Sequence, residues 1–226
     1  MGTDPEDVYA IYKPKGPTSH DIVDSMRRIT GERRVGHAGT LDPAACGVLV
    51  VGVGRTATKT LHDVVATEKE YVAVVRLGEE SSTDDGEGER EKRTVERIPS
   101  PQDVAEAIKK FTGAIMQKPP KFSALKIRGV PAYKLAREKK EVEFGDRPVT
   151  VYGMHIIRYA WPLLELRATT GPGVYIRALA RDMGIALGVG GYLKDLERTR
   201  VGEFTKDRAQ TLEQFADYWR RRGNGI

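Results

Sequence analysis

Gly36-His37-Ala38-Gly39-Thr40-Leu41-Asp42-Pro43 sets one carboxylate among residues that suit a turn rather than a helix or a strand. The two glycines tolerate backbone conformations and close approaches that other residues resist. Pro43 lacks an amide donor and pushes Asp42 toward an extended conformation. Two readings fit these residues. One is an ordinary Asx-type turn. The other is a single acid displayed for chemistry between two apolar runs.

Working outward, Val8 to Tyr12 reads as a strand, followed by a turn at Lys13-Pro14-Lys15-Gly16-Pro17. Thr18 or Ser19 can cap a helix whose apolar face is Ile22, Val23, Met26 and Ile29. Val48 to Val53 and Tyr71 to Leu77 are strand-like and rich in β-branched residues. Ser100-Pro101 opens a helix through Val104, Ile108 and Phe111, stopped by Gly113. Ala132 to Lys140 reads as a short basic helix, and Val149 to Arg158 with Leu163 to Thr169 as paired strands. Tyr175 to Leu187 forms a helix with Gly188 past its end, and Thr211 to Gln214 is a capping box opening a last helix to Trp219. Strands and helices mix without strict alternation, and neither a repeat nor an interdomain linker is evident. The expected fold is α+β.

The 226 residues carry a net charge of +5, so an anionic partner is plausible, although charged residues of both signs make up 31% of the chain. The charge is uneven. Residues 118 to 158 hold ten Lys or Arg against four acids, whereas residues 79 to 91 hold seven acids and one Arg. A phosphate backbone would prefer the first stretch, and the second reads as an exposed loop. The single Cys46 excludes an internal disulfide and a cysteine-rich zinc site, and its small apolar neighbours suggest a buried thiol. The four histidines, at positions 20, 37, 62 and 155, lack metal-ligand spacing. No apolar run has the length of a membrane span, and Met1 to Asp7 is not a signal sequence, so a cytoplasmic location is expected.

A rival motif has to be weighed. Gly52-Val53-Gly54-Arg55-Thr56-Ala57 fits the dinucleotide-binding fingerprint after an apolar strand, with Glu79 as a candidate ribose-binding acid. The blander account makes these glycines the tight exit from a buried strand. The absence of a regular βα series favours the bland account.

The octapeptide resembles the signature loop of the TruB-type pseudouridine synthases. Five other segments fit the family's order, from about residue 8 to 215. Lys13-Pro14 with Gly16, Thr18 and Ser19 resembles the first motif, and Glu68-Lys69-Glu70-Tyr71 the second. Gly173 through Arg177 to Leu179 resembles the third, and Gly188 to Leu193 with Leu196 to Phe204 the C-terminal catalytic segment. Pro119 to Lys126, Ala132 to Arg137 and Arg147 to Val149 resemble an insertion found in stand-alone tRNA enzymes.

The resemblance implies a pseudouridine synthase fold, with a mixed, largely antiparallel central sheet flanked by helices and loops and a catalytic cleft across it. It implies one catalytic domain over residues 1–226, a basic tRNA-binding insertion at about 118–150, and no C-terminal PUA-type module. The implied reaction is isomerisation of the T-loop uridine of tRNA, position 55, after the base is flipped out. Asp42 would be catalytic, Tyr71 would pack on the uracil, and Arg177 would pair with the aspartate. His37 would fill or frame the gap left by the base, Lys13 would support substrate binding, and Leu196 would wall the pocket. Lys121, Lys126, Arg128, Lys134 and Arg137 would contact tRNA phosphates. A redox-neutral isomerisation implies no metal or organic cofactor, and a monomer is expected. The alternatives are a guide-RNA-dependent relative, a tRNA-folding helper with dispensable catalysis, and a dinucleotide-binding oxidoreductase.

Overall fold

The computed structural model describes residues 7–120, 126–127, 130–131 and 144–223. Along the chain lie β1 (Val8–Lys13), α1 (Ser19–Thr30), β2 (Val35–Ala38), β3 (Cys46–Val53), α2 (Gly54–Ala66) and β4 (Lys69–Leu77). Next come β5 (Glu79–Ser81), β6 (Arg90–Lys92), α3 (Pro101–Lys109), β7 (Gly113–Gln117), β8 (Lys126–Ile127) and β9 (Val130–Pro131). The chain continues with β10 (Arg147–Ala160), β11 (Leu163–Thr170), α4 (Ile176–Ala186), β12 (Gly191–Val201), β13 (Phe204–Thr205) and α5 (Leu212–Gly223). The fold is α+β. It divides into two compact units, one made of Met1–Val72 with Leu196–Ile226, the other of Ala73–Asp195. Among the described residues no helix is long and apolar enough to cross a membrane.

The first unit is organised around β3. Its sequence, Cys-Gly-Val-Leu-Val-Val-Gly-Val, is apolar on both sides of the pleat, and all but Cys46 is buried. Such a strand needs cover on two faces. Leu49, Val51 and Val53 point into a core with Ile22, Val23 and Met26 of α1 and Phe215 of α5. Val48 and Val50 point the other way, against Ala57 and Leu61 of α2 and Phe204. Strand β1 runs antiparallel to β3 from Val8↔Gly52 to Lys13↔Gly47, and β2 does so from Val35↔Val53 to Ala38↔Val50. The last part of β12 joins β3 in parallel at Glu197↔Cys46 and Arg198↔Gly47, so the sheet is mixed.

Helix α1 starts where its sequence says it should. Thr18 caps it through a complete capping box with Asp21, and Gly31 ends it at φ +72°. Helix α2 is the element the sequence hid. It begins at Gly54 (φ +87°) without a side-chain cap, and its threonines carry no strong helical pattern. The fingerprint glycines do form the exit from a buried strand. A Cβ on Gly52 would lie 3.0 Å from the backbone of Ala57, so glycine lets α2 turn back onto β3. Strands β1 and β2 are antiparallel to β3, and its parallel contact is with β12, far along the chain, rather than with the strand after α2 as the βαβ unit of a dinucleotide site requires.

In the second unit β10 lies between β11 and β7, antiparallel to both. Ser100 caps α3 through a second capping box, with Pro101 at the first turn. That helix ends at Lys109, so Phe111 lies in the turn before β7. The acidic stretch is not the wholly exposed loop that its composition suggests. It contains the β5–β6 hairpin, and Asp85 within it is 6% exposed. The expected basic helix at 132–140 lies outside the described residues.

Candidate active site

In the octapeptide, the turn is shorter than the sequence suggests. Gly36, His37 and Ala38 are strand residues paired to β3, and the chain leaves the sheet only at Gly39, whose φ is +81°. Gly36 sits under α2, where a Cβ would touch Leu61 and Thr58 at 3.5 and 3.6 Å. Asp42 is half-buried, and its carbonyl accepts the Ala45 amide at 3.1 Å to close the turn behind it.

Four fasteners hold this turn. The Ser19 hydroxyl, at the start of α1, accepts from the Leu41 amide at 2.8 Å and donates to the Leu41 carbonyl at 2.9 Å. The Gly16 amide donates to the Pro43 carbonyl at 2.8 Å. Lys13, fully buried at the end of β1, donates from Nζ to the carbonyls of Pro14 (2.9 Å), Pro17 (2.8 Å) and Pro43 (3.4 Å). Its amine therefore faces the loop's own carbonyls rather than solvent. The fourth is Arg198 of β12, 2% exposed, which donates to Gly39 (3.0 Å), Thr40 (3.4 Å) and Val48 (2.8 Å) carbonyls.

The electrostatics follow from three buried cations meeting one turn. Burial pushes the Lys13 amine below its ordinary pKa, while Cys46 and Asp42 oppose that shift. Burial also disfavours the charge on Arg198, and Tyr71 and Asp42 act against that loss. Lys69, 6% exposed, donates to the carbonyls of Val65 (2.8 Å) and Thr67 (2.6 Å) at the end of α2. Burial, aided by the charge of Arg198, lowers its pKa to about 8. Tyr71 is 7% exposed on the inward side of β4, where its hydroxyl reaches the Arg198 guanidinium.

His37 is half-buried on β2 opposite Val51. Burial first, then Arg198 and His20, pull its pKa down, so the imidazole is neutral at physiological pH. Its Nδ1 is buried without a hydrogen-bond partner among the described residues. Leu196 is half-buried on β12 and receives the Cys46 thiol on its carbonyl at 3.7 Å. Cys46 is thus half-buried rather than fully interior. Asp42, Tyr71, His37, Lys13 and Leu196 all belong to the first unit, around Arg198.

Arg177 belongs to the second unit, in the first turn of α4, and is 7% exposed. It donates to the Asp85 carboxylate at 3.2 Å and to the Thr83 carbonyl at 3.4 Å. Asp85 is itself oriented by Thr83 Oγ1 at 2.6 Å and the Glu87 amide at 3.0 Å. One turn on, Arg181 pairs with Asp84 at 2.8 Å. Lys121, Arg128, Lys134 and Arg137 lie outside the described residues, and Lys126 is placed only as part of the β8–β9 hairpin. Among the described residues no cluster of His, Cys, Asp or Glu is arranged to hold a metal ion. Sequence reasoning passed over Arg198, Lys69 and Asp85. A lone arginine in a charged strand gives no sign of burial, and an acid among six others gives no sign of pairing.

The chain is similar to the tRNA pseudouridine synthase B of Streptomyces coelicolor, 49% identical over 222 residues, covering 94% of this chain and 73% of that protein. It is also 47% identical over 218 residues to the tRNA pseudouridine synthase B of Thermobifida fusca, covering 92% and 74%. Among solved structures it resembles a chain of a Cbf5-Nop10-Gar1 complex with a TM-score of 0.74 and 30% identity. That match covers 97% of this chain, which spans 56% of the solved chain's length. Residues 177–225 match the tRNA pseudouridylate synthase B C-terminal domain. Residues 27–176 match the N-terminal domain of the TruB family pseudouridylate synthases, and with the 49% relative this places the chain in that family.

Proposed function

We propose that the protein converts the T-loop uridine of tRNA, position 55, into pseudouridine, with Asp42 as the catalytic residue. The observation that carries this reading is the Asp42 turn. A carboxylate is held at the tip of a turn fastened by Lys13, Gly16, Ser19 and Arg198, with Tyr71 against the same guanidinium. Nearby positive charge favours an ionised carboxylate, the form needed to attack or to take a proton. The N1–C1′ bond of the uridine breaks, the uracil turns, C5 bonds to C1′, the C5 proton is released to water and N1 takes up a proton. Tyr71 supplies a π-face for the base, and neutral His37 contacts the RNA beside the flipped nucleotide. Arg177, oriented by Asp85, serves the same reaction through its motif. Leu196 walls the base pocket. Lys121, Lys126, Arg128, Lys134 and Arg137 bind backbone phosphates, so affinity falls steeply with salt. The enzyme works as a cytoplasmic monomer, and the chemistry needs no cofactor.

The likeness to chains solved in a Cbf5-Nop10-Gar1 complex and in an H/ACA RNP bound to a substrate RNA favours one second reading, modification directed by a guide RNA. The experiment that separates the two is tritium release from tRNA transcripts labelled at uracil C5, with no guide RNA added. Release that disappears when the T-loop uridine is replaced supports the stand-alone reading. Tight tRNA binding without release would overturn it.

A further inference from the structure

Arg198 heads the fully buried side chains by volume among the described residues, an unusual place for a permanent cation. Its backbone meets β3 at Gly47 (φ +113°), where a Cβ would fall 2.2 Å from the Arg198 carbonyl oxygen. At Gly39 a Cβ would come within 3.5 Å of Nη1. Gly47 thus makes room for this one residue, whereas the contact at Gly39 would be an ordinary one. The three carbonyls it donates to are neutral, and two of them, Gly39 and Thr40, immediately precede Leu41-Asp42. Among the described residues no carboxylate lies within ion-pair distance of the guanidinium. Its charge attracts Asp42 and disfavours the protonated forms of Lys13, His37 and Lys69, while Tyr71 meets it by a hydrogen bond.

We infer that Arg198 is a positioning residue of the reaction, its planar fork fixing the Gly39 and Thr40 carbonyls and through them the aim of the Asp42 carboxylate. A lysine would keep the charge but, as a point donor, would not bridge three carbonyls at fixed angles. The inference rests on Asp42 being the reacting group.

The test compares Arg198→Lys and Arg198→Met with the wild type by three readouts. These are thermal unfolding, dissociation constant for the tRNA transcript, and single-turnover tritium release at saturating enzyme. Misaiming the carboxylate is expected to slow release about 100-fold in Arg198→Met and about tenfold in Arg198→Lys, with tRNA affinity within about threefold of wild type. A purely structural role would move unfolding temperature and affinity while leaving the single-turnover rate of the folded fraction intact. That pattern, a wild-type rate in Arg198→Lys, or failure of both variants to fold would overturn the inference. Absence of release by the wild type would instead overturn the reading of the function on which it stands.

Discussion

Both units bury basic side chains, but they neutralise them differently. In the first, Lys13, Lys69 and Arg198 donate to backbone carbonyls, and none forms an ion pair among the described residues. In the second, Arg177 pairs with Asp85 and Arg181 with Asp84. Carbonyls satisfy the N–H donors yet carry no net charge, so the first unit keeps a positive field around its turn. Carboxylates cancel the charge as well as the donors. A turn that must keep Asp42 ionised gains from the first arrangement. A helix end that must hold an arginine in one orientation gains from the second.

The largest effect should come from removing the charge that the first field surrounds. Asp42→Asn keeps the shape and is expected to lower tritium release by about 10⁴-fold or more, while tRNA binding persists. Retention of even a tenth of the rate would mean that the positive field serves something other than Asp42. The second unit is broken by Asp85→Asn, which leaves a buried arginine short of its carboxylate. Loss of stability of about 3 kcal/mol is expected in urea unfolding, because one member of a buried pair has been neutralised. A loss below about 1 kcal/mol would show that Arg177 is held without the Asp85 charge, by the Thr83 carbonyl and its other interactions.

Lys13→Met applies the same cut to the first unit. Three carbonyls lose a donor, but no opposite charge is stranded, so the expected loss is nearer 2 kcal/mol. The catalytic consequence should exceed the structural one, since Pro43 adjoins Asp42. Release at saturating enzyme should fall by about tenfold or more. Equal stability losses in Lys13→Met and Asp85→Asn would erase the distinction between carbonyl and carboxylate compensation.

What could be read from sequence follows the same division. Strand β3 was legible because seven nearly unbroken apolar residues need burial on two faces. Helices α1 and α3 were legible because Thr18 and Ser100 write their caps into the chain. Helix α2 was not, since it starts on a glycine with no cap and is held by packing onto β2 and β3 rather than by local signals. At the site, Asp42 stood out because glycine and proline frame it. Lys13 was found by its motif, but its burial was not, because only β1, the Pro17 turn and Pro43 together enclose its amine. Arg198 and Asp85 depend on partners 150 and 92 residues away along the chain, and no local pattern carries such information.

Lys69 offers the finest test of carbonyl compensation, because its charge can be removed by pH without mutation. Its pKa is about 8 in the folded chain against an ordinary 10.5, so between those values the unfolded chain binds more protons. Stability contributed by this residue therefore rises with pH through that window, and below pH 8 the folded state bears the full cost of a buried ammonium. Lys69→Met removes the titration. Urea unfolding of wild type and variant at pH 7.5 and pH 10 is expected to show the difference between them shifting by roughly 1 to 2 kcal/mol in favour of the wild type at the higher pH. A constant difference would mean that the two carbonyls at the end of α2, aided by the helix dipole, stabilise the ammonium enough to hold it at its ordinary pKa. Carbonyls would then compensate a buried cation as fully as carboxylates do, and the contrast between the two units would be one of geometry alone.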